Sequence, residues 1–167
     1  MNRLDEVQIR AASDADFRAI QSIYADEIMY GTSLFADVPP SVIEMMAHWR
    51  GLIANDRPYL IASQAGPVCG FAYLSPYRFD PSASHTAEIS VCVAQGSRRQ
   101  GIGTQLLSAL LGNARSLHTV MAVIPDSTNQ PVINLHQSLG FIETGRLSKV
   151  GQKDGHWIDT LVLQKQL

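Results

Sequence analysis

The residues best able to do chemistry lie between Ala87 and Leu111. Glu88 opens an apolar stretch there, and Arg98-Arg99-Gln100-Gly101-Ile102-Gly103-Thr104 closes it. The break at Gln95-Gly96-Ser97 and the two glycines make a turn, and Leu106, Leu107, Leu110 and Leu111 beyond it fall on one helical stripe. A strand, a glycine turn and a helix N-terminus together expose backbone N–H groups at the positive end of a helix dipole. That is a cradle for a phosphate or pyrophosphate. Two common phosphate loops fail on named positions. A nucleoside-triphosphate loop requires Gly-Lys-Ser/Thr, where this chain has Gly101-Ile102-Gly103-Thr104. A dinucleotide fingerprint requires a third glycine where Leu106 stands and an acidic residue about 20 positions on, where the chain reads His118 to Val123. Glu88 sits between Ala87 and Ile89, and burial there would raise its pKa towards neutrality, as a general base needs.

The elements that must position these groups read in order. Residues 7–11 form a short strand. Ser13 and Asp16 have capping-box spacing, and Phe17, Ile20, Ile23, Tyr24 and Ile28 then give a helix to about Met29. Ser41 and Glu44 repeat that spacing before a second helix with Met45, Trp49, Leu52 and Ile53 inside, ending near Asn55; Trp49 reads as core. Strands follow at 58–62 and 68–74, joined by Gln64-Ala65-Gly66-Pro67. The organising strand alternates Ile89, Val91 and Val93 against Ser90, Cys92 and Ala94, and its helix runs from Thr104. Residues 119–124 form a fully apolar, central strand. Asn129 and Pro131 start a last helix that Gly140 ends as a left-handed cap. Strands at about 141–150 and 156–163, linked by residues 151–155, close the chain.

Bulk properties narrow the classes. A chain of 167 residues, 46% hydrophobic and 17% charged, suits one globular domain. A net charge of −2 gives no reason to expect nucleic acid or an anionic membrane as partner, so anion binding must be local, at Arg98-Arg99. The two cysteines, Cys69 and Cys92, fall in different strands and imply no disulfide framework, which favours a reducing compartment. The first residues lack the apolar core of a signal peptide, and no run reaches 18 apolar residues. The expectation is cytoplasmic.

Arg98-x-x-Gly101-x-Gly103 after a hydrophobic strand resembles the pyrophosphate loop of the GNAT superfamily of N-acetyltransferases, which binds acetyl-CoA. The element order is that fold's order. Almost the full length is similar to the phosphinothricin and methionine sulfone/sulfoximine N-acetyltransferase family. IRAASDADFRAIQSIYADEI, GTSLF with the following PP, GFAYLSPYR, AEISVCV, RRQGIG, DSTNQPVINLHQSLGF and GQKDGHWIDT carry that likeness. The resemblance implies an α/β (α+β mixed-sheet) acyl-CoA N-acyltransferase fold of about seven strands and four helices, one domain over residues 1–167. It implies transfer of acetyl from acetyl-CoA to the amine of a small amino-acid-like substrate, with no metal.

In that likeness Glu88 matches the base and His136, which precedes Gly140-Phe141, matches the second catalytic residue, expected here as the acid. Backbone of Val91, Cys92 and Val93 would hold the thioester and pantetheine if their strand splays from its neighbour. Arg98, Arg99, Gln100, Gly101, Ile102, Gly103 and Thr104 would hold the pyrophosphate, with Asn129 and Ser138 completing the cofactor set. Phe35, Tyr77, Arg78 and His85 would form the substrate pocket, where an arginine suits a carboxylate. Trp157 and Asp159 serve a dimer interface or pack the last strand, and a homodimer is implied by likeness alone. The chain departs from the family at Cys92, usually tyrosine, at His85, often aromatic, and over Asp80 to Ser84. Acetylation of a protein or peptide amine, and a non-catalytic acyl-CoA-binding module, stay open as alternatives.

Overall fold

A computed structural model describes residues 6–31, 34, 36–78 and 80–167. They form strands β1 (Gln8–Ala11), β2 (Tyr59–Ser63), β3 (Val68–Pro76), β4 (Thr86–Val93), β5 (Thr119–Ile124), β6 (Ile142–Lys153) and β7 (His156–Gln166). The α-helices are α1 (Phe17–Tyr30), α2 (Val42–Ile53), α3 (Ile102–Gly112) and α4 (Gln130–Ser138). One seven-stranded sheet runs β1-β2-β3-β4-β5-β7-β6. Only the β4–β5 pair is parallel. The expected mixed α/β architecture and element order are therefore observed.

Strand alternation sorts the core onto the two faces. Leu60, Ala62, Ala72, Leu74, Ala87 and Ile89 pack with Leu106, Leu107 and Leu110 of α3. Tyr59, Ile61, Phe71 and Cys92 point the other way, against Phe17 and Ile20 of α1 and Trp49 of α2. The three leucines of α3 are wholly buried, each stabilising by roughly 2 kcal/mol. Trp49 is core, its ring centroid 4.9 Å from that of Phe17.

Helix and strand ends follow from named residues. Ser41 and Glu44 close a reciprocal cap on α2: the Ser41 N–H donates to Glu44 at 2.7 Å and the Glu44 N–H donates to Ser41 Oγ at 3.3 Å. Ser13 and Asp16 bracket a 3-10 turn that feeds α1, and the Asp16 carboxylate is forked by Arg10 at 2.7 and 2.8 Å. Two boundaries differ from the sequence reading. Helix α3 begins at Ile102 rather than Thr104, because Gly101 takes a left-handed φ of +76° and is itself the N-cap. Strand β6 runs on to Lys153, because Asp154 and Gly155 both adopt positive φ, +50° and +78°, and make the tight turn that twisted strands prefer.

The feature that positions the site is where β4 and β5 part. They pair only through Thr86–Thr119, Ala87–Val120 and Glu88–Met121. Beyond Glu88, β4 stays with β3 as far as Val93, while β5 continues with β7 to Ile124. The sheet splits into a V, and Glu88 stands at its vertex, flanked by Ser75 on one side and Met121 on the other.

Candidate active site

Into this V opens a cavity of about 550 Å³. Val91, Cys92 and Val93 of β4 form one wall and Asn129, Val132 and Leu135 of α4 the other. Its far end is the turn of Arg98, Arg99, Gly101, Ile102, Gly103 and Thr104. Past Glu88 the β5-facing edge of β4 has no ladder partner among the described residues, so its backbone groups face the cavity. Residues 99 and 101 both adopt positive φ, +61° and +76°, turning successive N–H groups to one side ahead of α3 as an anion nest requires. Gly103 lets α3 approach α4: a Cβ there would lie 3.0 Å from Leu135 Cδ2. A long apolar trough ending in backbone donors and a cation fits a pantetheine arm with its pyrophosphate.

The expected cofactor residues are mostly brought together. Arg98 lines the cavity, but its Nη2 donates to Glu27 at 2.5 Å and its Nε to the Val93 carbonyl at 3.1 Å. Its guanidinium therefore ties the start of the turn to α1 and β4. Gln100 and Ser138 stand apart from the cavity lining. Gln100 donates to the Gly96 carbonyl at 3.4 Å, and Ser138 Oγ donates to the Leu135 carbonyl at 2.7 Å. Asn129 does two things at once, capping α4 through the Val132 N–H and lining the cavity. Cys92 is buried, and burial pushes its thiol up to about 12, with Glu27 adding to the rise. A thiol raised in this way is a poor nucleophile at neutral pH.

Glu88 is partly buried and, by the alternation of β4, faces the α1–α2 side with Ser90 and Cys92. Desolvation raises its pKa, the direction a general base at neutral pH requires. His136 lies outside the cavity lining, 3% exposed, with its ring edge-on to Phe141. Its Nδ1 is 2.8 Å from the Val132 carbonyl. A carbonyl only accepts, so Nδ1 carries the hydrogen and Nε2 of the neutral ring holds a lone pair. Burial lowers its pKa and favours that neutral form. Such a ring must first gain a second proton before it can act as an acid.

Of the substrate set, Tyr77 and Arg78 follow β3 directly, Tyr77 N–H meeting the Thr86 carbonyl at 3.4 Å. The Arg78 guanidinium lies 5.6 Å above the Tyr77 ring. His85 is exposed and sits 3.1 Å from the Ser116 carbonyl, at the turn into β4. Phe35 lies outside the described residues. Asp159 accepts from the Lys149 N–H at 2.9 Å and so supports the irregularity in β6, while Trp157 is 61% exposed.

Glu27 is the functional candidate the sequence reading missed. Its signal was available: a carboxylate on the buried stripe Ile20, Ile23, Ile28 needs a buried partner. Among the described residues no group of three or more His, Cys, Asp or Glu is placed to hold a metal ion, and no helix is long and apolar enough to cross a membrane.

A split sheet ending in a glycine turn is the arrangement an acyl-CoA-type transferase calls for, and the chain belongs to the acetyltransferase (GNAT) family, whose model matches residues 19–141. It is 36% identical over 161 residues to a phosphinothricin N-acetyltransferase of Alcaligenes faecalis, covering 95% of this chain and 82% of that one. It is likewise 36% identical over 162 residues to an L-methionine sulfoximine/L-methionine sulfone acetyltransferase of Pseudomonas paraeruginosa, covering 95% and 94%. Among solved structures, a phosphinothricin acetyltransferase from Sinorhizobium meliloti in complex with acetyl-CoA superposes with a TM-score of 0.92. That pair is 34% identical, covering 96% of this chain and 88% of the other. The chain is an acetyl-transferring enzyme.

Proposed function

We propose that this protein transfers acetyl from acetyl-CoA to the amine of a small amino-acid-like substrate of the phosphinothricin, methionine sulfoximine or methionine sulfone type. The observation that carries the reading is the parting of β4 and β5, with Glu88 at its vertex and a cavity that starts at Val91 further along β4 and ends at the glycine turn. Acetyl-CoA supplies an activated thioester carbonyl. Backbone groups of Val91 to Val93 orient it, and the N–H groups from Arg99 to Thr104, with the Arg99 side chain, hold the pyrophosphate. Arg98 with Glu27 keeps that turn in place. Arg78 pairs with the substrate carboxylate beside Tyr77 and His85.

An amine with a pKa of roughly 8 or above is mostly protonated at neutral pH. Glu88, directly or through one water, takes a proton from it, and the nitrogen lone pair then forms the new C–N bond as the C–S bond breaks. As the amide forms, the nitrogen gives up a second proton, which passes through water to the leaving sulfur and yields the free thiol. His136 orders that water through its Nε2 lone pair or sets the position of α4; its Nδ1–H is already committed to Val132. We further infer one N-acetyltransferase domain over residues 1–167, working in the cytoplasm as a homodimer. Exposed Ile142, Leu147, Val150 and Trp157 on the β6–β7 edge support the self-association.

The test is thiol release from acetyl-CoA with phosphinothricin, methionine sulfoximine, methionine sulfone and ordinary amino acids, with Glu88→Gln alongside. Turnover that falls on the order of 10²–10⁴-fold in the variant supports the assignment. No turnover on any free amine, or an unaffected variant, overturns it.

A further inference from the structure

Helix α1 ends without a cation of its own. Its last turn holds no basic residue, and Gly31 caps it with an N–H that donates to the Glu27 carbonyl at 2.8 Å. The carbonyls at such an end have no partner inside the helix and carry the negative pole of its dipole. Here the missing cation arrives from the far end of the chain. Lys153 Nζ donates to the Ile28 carbonyl at 3.0 Å and to the Gly31 carbonyl as well, 125 and 122 residues away in sequence. Lys153 is the last residue of β6, and it pairs with His156 across the tight turn of Asp154 and Gly155. The amine is thus presented from the closed end of a hairpin, not from a long loop.

The turn that Lys153 grips carries one wall of the cofactor cavity. Glu27 and Leu34 both line that cavity, and Ile28 and Gly31 lie between them in the chain. Lys153 itself stands outside the lining. Glu27 is buried, and its carboxylate accepts from Arg98, whose Nε donates to the Val93 carbonyl. Gly31 leaves room for that carboxylate, since a Cβ on residue 31 would collide with it. The end of α1 is therefore held from two sides: the hairpin tip takes its carbonyls, and the pyrophosphate turn takes Glu27. A lysine on two carbonyls at a helix end acts through charge and direction together. Removing it frees the last turn and the carboxylate mounted on it. Misplacement of about 1 Å in a group that orders a binding site can cost on the order of 10²-fold in rate.

We propose that Lys153 is a positioning residue for acetyl-CoA: from the β6–β7 tip it fixes the last turn of α1, and with it the Glu27–Arg98 pair that orders the pyrophosphate turn. The inference rests on the acetyl-CoA site read above and adds to it a residue that lies outside the cavity.

The experiment is calorimetric titration with coenzyme A, which needs no acceptor amine. It compares the wild-type protein with Lys153→Met, Lys153→Arg, Glu27→Gln and the double variant Lys153→Met/Glu27→Gln. Lys153→Met should weaken coenzyme A binding by on the order of 10-fold. Lys153→Arg keeps charge and donors at the helix end and should stay within about 3-fold of wild type. Because Lys153 acts through Glu27, the double variant should bind like Lys153→Met alone, whereas independent effects would multiply. In turnover, the KM for acetyl-CoA should follow the same order while the KM for the amine holds. Coenzyme A should also slow amide exchange at residues 28–31 and 152–155 together in the wild-type protein, since linkage is reciprocal. That measurement decides alone if Lys153→Met fails to fold. Unchanged binding in Lys153→Met, an equal loss in Lys153→Arg, multiplied losses in the double variant, or protection of 28–31 without 152–155 overturns the assignment while the acetyl-CoA site stands. A wild-type protein that does not bind coenzyme A overturns the underlying reading, and this inference with it.

Discussion

The tightest packing in the site lends itself to a paired test. Gly51 and Gly103 both lie in helices, α2 and α3, and replacing either by alanine gains up to about 1 kcal/mol in helix propensity. Around Gly51 a Cβ meets nothing within 4 Å. Around Gly103 it lies 3.0 Å from Leu135 Cδ2, with Leu135 Cδ1 at 3.8 Å and Val93 Cγ2 at 3.9 Å. Carbon atoms prefer roughly 3.5–4.0 Å, so the Leu135 methyl must retreat by about 0.5–1 Å. Overpacking of this kind costs about 1–3 kcal/mol, and a flexible leucine end places the cost at the low side.

Gly51→Ala should therefore raise Tm by about 2–4 °C in a chain of this size, while Gly103→Ala leaves Tm unchanged or lowers it by up to about 5 °C. Leu135 and Val93 both line the cofactor cavity, so Gly103→Ala should also raise the KM for acetyl-CoA, by on the order of 10-fold. Thermal melts and initial rates against acetyl-CoA measure both. If Gly103→Ala stabilises as much as Gly51→Ala and leaves that KM alone, the close approach of α3 and α4 is not what glycine is for.

Other expectations follow from single contacts. Glu27→Gln weakens the charge-assisted bond that Arg98 makes to the buried carboxylate, worth about 1.5 kcal/mol; Tm should drop by about 3–6 °C, and the KM for acetyl-CoA should rise several-fold while kcat holds. An unchanged KM would show that Arg98 needs no anchor. Because burial raises the Glu88 pKa, the rise of kcat/KM for the amine with pH should be displaced upward from that of an ordinary glutamate, and Glu88→Gln should lose that limb of the profile. The same raised pKa means the folded state holds its proton longer than the unfolded one, so Glu88 costs stability above that value; Glu88→Gln should melt higher than wild type at pH 8 and alike at pH 4. Hydrogen bonding from Arg10 holds the Asp16 carboxyl at about 2. Its stabilisation, about 1–2 kcal/mol, is complete above roughly pH 4 and lost as pH falls towards 2, so acid melts of Asp16→Asn should be flatter in that window.

Much of this was legible in the residues because local chemistry and global fold agree. The Ser41–Glu44 spacing, the Leu106–Leu107–Leu110 stripe and the Gly101 turn each specify their element without help from distant contacts. Gly101 also shows the limit: its left-handed φ makes it a cap, which starts α3 two residues earlier than the apolar stripe indicates. The positions of Arg98 and His136 could not be read at all. In sequence, Arg98 is a cation in a phosphate loop; in space it is turned towards Glu27, 71 residues away. His136 looks like a catalytic side chain, and only the helix register reveals that one nitrogen is spent on the carbonyl a turn behind it.

The parting of β4 and β5 also has a mechanical meaning. Across it the sheet is held by a seam of three residue pairs, where neighbouring seams run to six or seven. A ligand whose amides bridge the open V acts as a splint laid across the weakest joint. Load applied across that joint should therefore be shared in parallel by the three pairs and the bound arm. Occupancy of the cleft would then stiffen the whole sheet, and backbone amides of Val91 to Val93 would exchange hydrogen more slowly when the splint is in place.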